Sequence, residues 1–293
     1  IRGLIDKGEY QRAVELAFEL SGQESFMYPD PFVPAFDMNV KMQPEGDVSG
    51  YMRSVDFQTG EAVVHWSDSR GAFERRLFVS RPDKLAVMVI RGPRPGTVSC
   101  RLALTPRNFR EKLDEKDLER SEHRFGELVK DVKPGAQGSA LTFTNGFTKA
   151  YAGSIQSLEG VAHVAARGGK TAVDGSTIVV TGADEVLVLV DIRLLREKDQ
   201  PGLTATQERL GKMSLGYDEL LARHKPVHTG IFSRMRLDLG GAADHKLTAE
   251  QLLATSTDAN LSRALVEMEF DAARYNILSC TGELPPNLQG VWA

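Results

Sequence analysis

Cysteine is almost absent: Cys100 and Cys280 are the whole complement. Two distant thiols make no disulfide framework, and neither lies in a metal-ligand spacing. The expectation is two buried, unbridged thiols, with one long-range disulfide as the alternative. Long apolar runs are missing too. The longest, around Val186–Val190, has strand length and falls far short of the ~20 residues that cross a bilayer. Basic excess is lacking, since 36 Lys and Arg against 40 Asp and Glu leave a net charge of -4. That balance gives no reason to expect a nucleic-acid binder, which carries a basic face, and neither nucleic acid nor membrane is expected as a partner. No phosphate loop, dinucleotide fingerprint or zincin sequence occurs, and neither a cofactor nor a metal is expected. Gly168-Gly169-Lys170 lacks the strand-to-helix switch of a phosphate cradle and reads as a turn between strands. Internal repeats and low-complexity tracts are absent. So is an initiator methionine: Ile1-Arg2-Gly3-Leu4 opens in a helical pattern, and Trp292-Ala293 follows closely on Pro285-Pro286. Both ends look cut, which predicts an internal piece of a longer protein and leaves the compartment open.

What is present changes period twice. Tyr10, Ala13, Val14, Ala17 and Phe18 recur at helical spacing after an Asp6-Lys7-Gly8 turn. Pro29, Pro31 and Pro34 then impose a loop. From residue 50 the period becomes two. Tyr51, Arg53, Val55 and Phe57 alternate with Met52, Ser54 and Asp56, and Ala62–Trp66, a turn over Ser67-Asp68-Ser69-Arg70-Gly71, and Phe73–Ser80 form a hairpin. Lys84–Arg91 and Val98–Pro106 continue the meander, with Val98, Cys100, Leu102 and Leu104 on one face. Residues 108–133 are charge-rich and read as a surface excursion. Strand patterns return at Ala140–Thr144, Thr148–Leu158, Val161–Ala166, Thr177–Thr181 and Glu185–Leu194. So many short strands predict a large antiparallel β-sandwich over residues 1–195, incomplete at its start.

Residues 196–248 read as a helical linker. Glu197–Thr204 has linker composition; beyond it Tyr217, Leu220, Leu221 and His224 share a helical face, with Ser214 as a candidate N-cap. Residues 249–293 hold the strongest helix, Thr257 to Ser279. Its stripe is Leu261, Ala264, Leu265, Met268, Ala272, Tyr275 and Leu278, its cap Thr257 or Asp258, and its end is set by Gly282 and Pro285. The fold class is therefore mainly β followed by α.

Few groups suggest chemistry. His224 and His228 stand i,i+4, a metal-ligand spacing, but Pro226 interrupts the helical pattern between them. They are expected to be surface or linker histidines. The acidic pairs Glu45/Asp47 and Asp56/Glu61 read as solvated turns, because glycosidase carboxylates are defined by separation across a bond, not by closeness in sequence. Asn260-Leu261-Ser262 fits a glycosylation sequon at a position where helix starts favour Asn. Trp66 ends a strand and is expected to pack in its hairpin, with stacking on a sugar ring as the alternative. Asn287, Gln289 and Trp292 converge in a Pro-introduced loop. Amides exchange hydrogen bonds with hydroxyls and an indole covers the apolar face of a pyranose, so these three are the candidate substrate-binding residues.

The run Phe270-Asp271-Ala272-Ala273-Arg274-Tyr275-Asn276-Ile277-Leu278-Ser279, then Gly282, Leu284-Pro285 and Asn287-Leu288-Gln289-Gly290-Val291-Trp292, resembles glycoside hydrolase family 95. That is a family of α-L-fucosidases with some α-L-galactosidases. Other stretches are similar in the same order: Tyr51-Met52-Arg53 to Val55-Asp56-Phe57 with Thr59-Gly60; Phe73-Glu74-Arg75-Arg76 to Phe78-Val79-Ser80 with Pro82-Asp83; Tyr217 to His224; and Leu237-Asp238-Leu239-Gly240-Gly241. Two places depart from the family pattern: Glu45 stands where an apolar residue precedes Gly46-Asp47, and the charged stretch 108–133 has no counterpart. The resemblance implies that the last segment opens an (α/α)6 catalytic barrel. It also implies inverting hydrolysis of a terminal α-L-fucosyl linkage in a fucosylated glycan. A barrel glutamate would protonate the leaving oxygen, and asparagines supported by an aspartate would activate water. None of these catalytic residues falls inside this chain, so the piece alone is expected to be inactive. A non-catalytic carbohydrate-binding or structural sandwich, and a related disaccharide phosphorylase, are the alternatives.

Overall fold

The computed structural model describes residues 1–21, 33–107, 126–148, 150–151, 153–257 and 260–282. The chain divides into two compact units, Ile1–Pro34 and Ala35–Ala293. The first holds helices α1 (Arg2–Asp6) and α2 (Tyr10–Ser21), separated by the turn that Asp6-Lys7-Gly8 predicts.

Among the described residues the second unit begins with twelve strands: β1 (Asp37–Lys41), β2 (Ser49–Asp56), β3 (Glu61–Asp68), β4 (Gly71–Ser80), β5 (Leu85–Arg91), β6 (Val98–Thr105), β7 (Val129–Gln137), β8 (Ala140–Phe147), β9 (Ile155–Arg167), β10 (Lys170–Asp174), β11 (Thr177–Ala183) and β12 (Glu185–Arg196). They form a four-stranded sheet, order β1-β6-β11-β10, and an eight-stranded sheet, order β2-β3-β4-β5-β12-β9-β8-β7. All named pairings are antiparallel, as period-two alternation and short turns require.

The alternation decides what lies between the sheets. Val98, Cys100, Leu102 and Leu104 point inward from β6 and meet Leu141, Phe143, Leu158, Ala162, Val164, Val186 and Val188 of the larger sheet. The opposite face of the larger sheet is covered by helix. Phe78, Val87, Val89, Val161 and Leu189 pack against Leu210, Tyr217, Leu220 and Leu221, on α3 (Leu203–Gly211) and α4 (Tyr217–Phe232). The eight-stranded sheet is thus a shared middle layer: β-sandwich on one side, helices on the other. A 3₁₀ turn (Ala242–Lys246), α5 (Ala249–Thr255) and α6 (Arg263–Ser279) follow.

Several expected boundaries move. The predicted strand Thr148–Leu158 starts only at Ile155, because the Ser154 hydroxyl accepts from the Tyr151 N–H and donates to the Tyr151 carbonyl, closing a turn. The β3–β4 turn tightens to Ser69-Arg70, since Asp68 already pairs with Gly71. Residues 129–133 of the predicted excursion belong to β7; residues 108–125 lie outside the described set. Helix α4 starts after Gly216, not Ser214, because Glu219 reaches back to the Gly216 N–H at 2.8 Å. The last helix starts at Arg263, not Thr257. Thr257 and Asn260 exchange backbone hydrogen bonds in both directions, a closed turn that a helix cannot contain, and Ser262 caps the Leu265 N–H at 3.3 Å. No disulfide joins the cysteines. Cys100 is buried, and Cys280 is half-buried rather than buried because it caps α6. Trp66 stacks on its cross-strand partner Phe73, centroids 5.5 Å apart.

Candidate functional site

The sequence motifs converge where the middle sheet meets α4 and α6. The loop Phe57-Gln58-Thr59-Gly60 closes the β2–β3 hairpin, and Gly60 takes φ +68°, a conformation that disfavours a side chain. A Cβ there would also come within 3.4 Å of both His224 and His228. Three successive loop carbonyls receive side chains from α4. The His228 Nε2 lies 3.0 Å from the Phe57 oxygen, the Thr229 hydroxyl donates to the Gln58 oxygen at 2.8 Å, and the His224 Nε2 lies 3.0 Å from the Thr59 oxygen.

His224 accepts the Arg81 N–H at Nδ1, 3.3 Å, which assigns its proton to Nε2 and makes the bond to Thr59 a donated one. Burial, then the neighbouring His228, lowers its pKa and keeps the ring neutral. His224 stacks on Phe78 and lies tilted against His228, which meets Tyr275 of α6 edge-on. These imidazoles are therefore buried ties, not the surface histidines the sequence suggests. Pro226 does not break α4. It lies on the exposed side, where the Ala222 carbonyl it leaves unpaired can meet water, while buried residues before and after it anchor the helix.

Acidic groups here are also structural. Glu61, expected to be solvated, is buried. It accepts the Tyr217 hydroxyl at 2.8 Å and pairs with Arg76 at 2.7 Å. Burial, followed by this carboxylate, raises the Tyr217 pKa, so the hydroxyl remains a donor. Asp56 keeps its turn role, accepting the Gln58 N–H at 2.9 Å. The Asp238-Leu239-Gly240-Gly241 turn wraps Glu267 of α6: the Leu239 N–H donates to it, the Gly241 N–H does so at 3.3 Å, and His245 lies 2.6 Å away. Those contacts, the Leu239 N–H first, lower the Glu267 pKa. Arg274 of α6 donates to the Phe232 carbonyl at the end of α4.

Between these elements lies a cleft of about 820 Å³, lined by Gly60, Arg81, His224, His228, Tyr275 and Thr281 among others. Its histidine Nε2 atoms face loop carbonyls, so it is built to hold elements together rather than to transfer protons. Among the described residues no group of three or more His, Cys, Asp or Glu could hold a metal. Asn287, Gln289 and Trp292 lie outside the described residues. Sequence reasoning missed Arg81 and Glu267 and misread Glu61, whose partners are remote in the chain; the helical spacing of Tyr217, Leu220, Leu221 and His224, and the i,i+4 step to His228, were the local signals for this surface.

The described residues thus form a sandwich whose outer sheet face is tied to helices. Residues 1–194 match the family model "Glycosyl hydrolase family 65, N-terminal domain", and residues 216–293 match "Glycosyl hydrolase family 95 catalytic domain". The chain belongs to the family of that glycosyl hydrolase 65-type N-terminal domain, and its remaining segment is similar to the family 95 catalytic domain. "Alpha-L-fucosidase 2" of Arabidopsis thaliana is 24% identical over 316 aligned residues, covering 100% of this chain and 36% of that protein. "Probable alpha-fucosidase A" of Aspergillus oryzae is 23% identical over 257 residues, 84% of this chain and 34% of that protein. This chain thus spans about a third of the length of these curated relatives. The solved "Putative kojibiose phosphorylase from human microbiome" aligns with a TM-score of 0.43 at 8% identity, over 68% of this chain and 28% of that one.

Proposed function

We propose that this chain supplies the sandwich, linker and opening of the catalytic barrel in a glycosidase that releases terminal α-L-fucose, or α-L-galactose, by inverting hydrolysis of a glycan. The observation that carries the reading is the family 95 match over residues 216–293, the same stretch that the joint fastens to the sandwich. The likeness to two proteins named as fucosidases supports it. In this reading residues 1–195 are the sandwich domain, 196–248 the linker and 249–293 the start of the barrel. Asn287, Gln289 and Trp292 touch the sugar, amides to hydroxyls and indole to the apolar ring face. The general acid and the water-activating groups lie outside these 293 residues.

The test compares this chain with a protein continued through the helical domain, on an aryl α-L-fucoside and a fucosylated oligosaccharide. Proton NMR of the first-formed sugar reads the stereochemistry. The longer protein is expected to release the β-anomer first, and this chain to turn over neither substrate. Release of the α-anomer first, or release that requires inorganic phosphate, would overturn the mechanism. Authentic turnover by the 293-residue chain would overturn the division of labour.

A further inference from the structure

We infer that the slot between β1 and the larger sheet binds an apolar monocarboxylate, its carboxylate on Arg75 and its hydrocarbon body among Met38, Val40, Met88 and Val190. Strand register builds the slot. The cross-strand rows Leu77–Met88–Val188 and Arg75–Ile90–Val186 turn one face of β4, β5 and β12 toward the smaller sheet. Ile90, Val186 and Val188 are sealed in the core there, and Met38 and Val40 of β1 pack against it. β1 is the last strand of the smaller sheet, so its cover stops at that edge. Beside it lies a slot of about 450 Å³, walled mainly by apolar side chains, with exposed Leu77 on its rim. Among the described residues lining it, Arg75 alone carries a charge.

Arg75 is an exception among the half-buried arginines of the described residues. Arg70, Arg76, Arg91, Arg107 and Arg193 each pair with a carboxylate. Arg81 and Arg274 donate to backbone carbonyls at the ends of α6 and α4. Arg75 has neither an ion pair nor a hydrogen bond from its side chain among the described residues. A cation held against apolar walls loses hydration that an opposite charge restores. A carboxylate suits it best, because two oxygens match the two parallel N–H donors of a guanidinium. Asn39, the other polar side chain in the slot, already donates its amide to the Thr105 hydroxyl at 2.5 Å. Mostly apolar walls with one placed polar group, in a few hundred Å³, are the make-up of a small-molecule site. A bare anion would gain nothing from those walls, and a neutral hydrocarbon would leave Arg75 unpaired. An apolar carboxylate uses both.

The experiment titrates octanoate, octan-1-ol and octylamine into the complete protein by calorimetry, below the micellar range of each. The same titrations are run on Arg75→Gln, Arg75→Lys and Leu77→Trp, with Tm recorded for every variant. Octanoate is expected to saturate one site and to bind about tenfold tighter than octanol, the effect of one charge-assisted pair. Octylamine should not bind. Arg75→Gln should bring octanoate down to the octanol level, and Arg75→Lys should fall between. Leu77→Trp closes the rim and should block both ligands; it decides the matter if Arg75→Gln fails to fold. Absence of saturable octanoate binding overturns the inference. Equal affinity for octanoate and octanol does so too, as does a preference that survives Arg75→Gln or octanoate binding that survives Leu77→Trp. Binding by the 293-residue chain but not by the complete protein also overturns it, since protein would then occupy the slot.

Discussion

Replacing Tyr217 by Phe isolates one bond of the joint. The hydroxyl donates to Glu61 at 2.8 Å, and both residues are buried. Phenylalanine keeps the ring, its edge-on contact with Phe78 and its place beneath the Arg76 and Arg91 guanidinium groups. What is lost is a hydrogen bond to a charged acceptor, worth about 1.5–3 kcal/mol. Arg76 still holds the carboxylate at 2.7 Å, which argues for the middle of that range. We expect a loss of about 2 kcal/mol, a fall in Tm of roughly 4–8 °C for a unit of this size. Urea unfolding monitored by circular dichroism reads it as a lower midpoint at unchanged slope. In a Glu61→Gln background the acceptor is neutral, and the same substitution should cost only about half as much. A cost below about 0.5 kcal/mol would refute the reasoning. So would an equal cost in both backgrounds, since the charge of Glu61 would then play no part.

Acidification should loosen the same joint. Burial holds the His224 pKa below its ordinary 6.5, so protons bind the unfolded chain more readily. Its contribution is complete above about pH 6.5 and is lost as pH falls through that value toward the folded pKa. His163, lowered by burial, adds to the trend. Unfolding midpoints measured from pH 8 to 5 should decline, and less steeply in His224→Gln; equal slopes would contradict the assignment. Gly241→Ala should destabilise by about 1–3 kcal/mol through overpacking alone. Its φ is an ordinary -62°, but a Cβ would sit 2.5 Å from Glu267 Oε2 and 2.8 Å from the Ala264 Cα. Thermal denaturation checks this, and a neutral outcome would mean that α6 shifts freely.

Legibility in the sequence followed the range of the forces. The β6 face is set by its own alternation, and Val98, Cys100, Leu102 and Leu104 lie where that period puts them. The buried side of α4 likewise shows in the spacing of Tyr217, Leu220, Leu221 and His224. Pro226 misled because its local penalty is real; the packing that outweighs it comes from strands far away in the chain. Glu61 misled for the same reason, since its hydrogen-bond partner Tyr217 is 156 residues distant. At the start of α6, Thr257 has the chemistry of a cap, yet Ser262 takes that role. The reciprocal backbone bonds between Thr257 and Asn260, which decide between them, leave no periodic trace.

Among the described residues, the stretches that carry the family resemblance meet on one surface. Thr59-Gly60 lies under His224 and His228, and Arg76 and Phe78 lie against Tyr217. Ser80 and Asp83 frame Arg81, and Gly241 makes room for Glu267. None of these side chains forms a pair of carboxylates facing across open space, which is what glycoside hydrolysis demands. A resemblance made of such residues therefore reports how a sandwich is fastened to helices. The cleft histidines are committed to backbone carbonyls of the β2–β3 loop, and Arg81 takes the carbonyls of Leu278 and Thr281 at the end of α6, so strand connections and helix ends are held by the same few side chains.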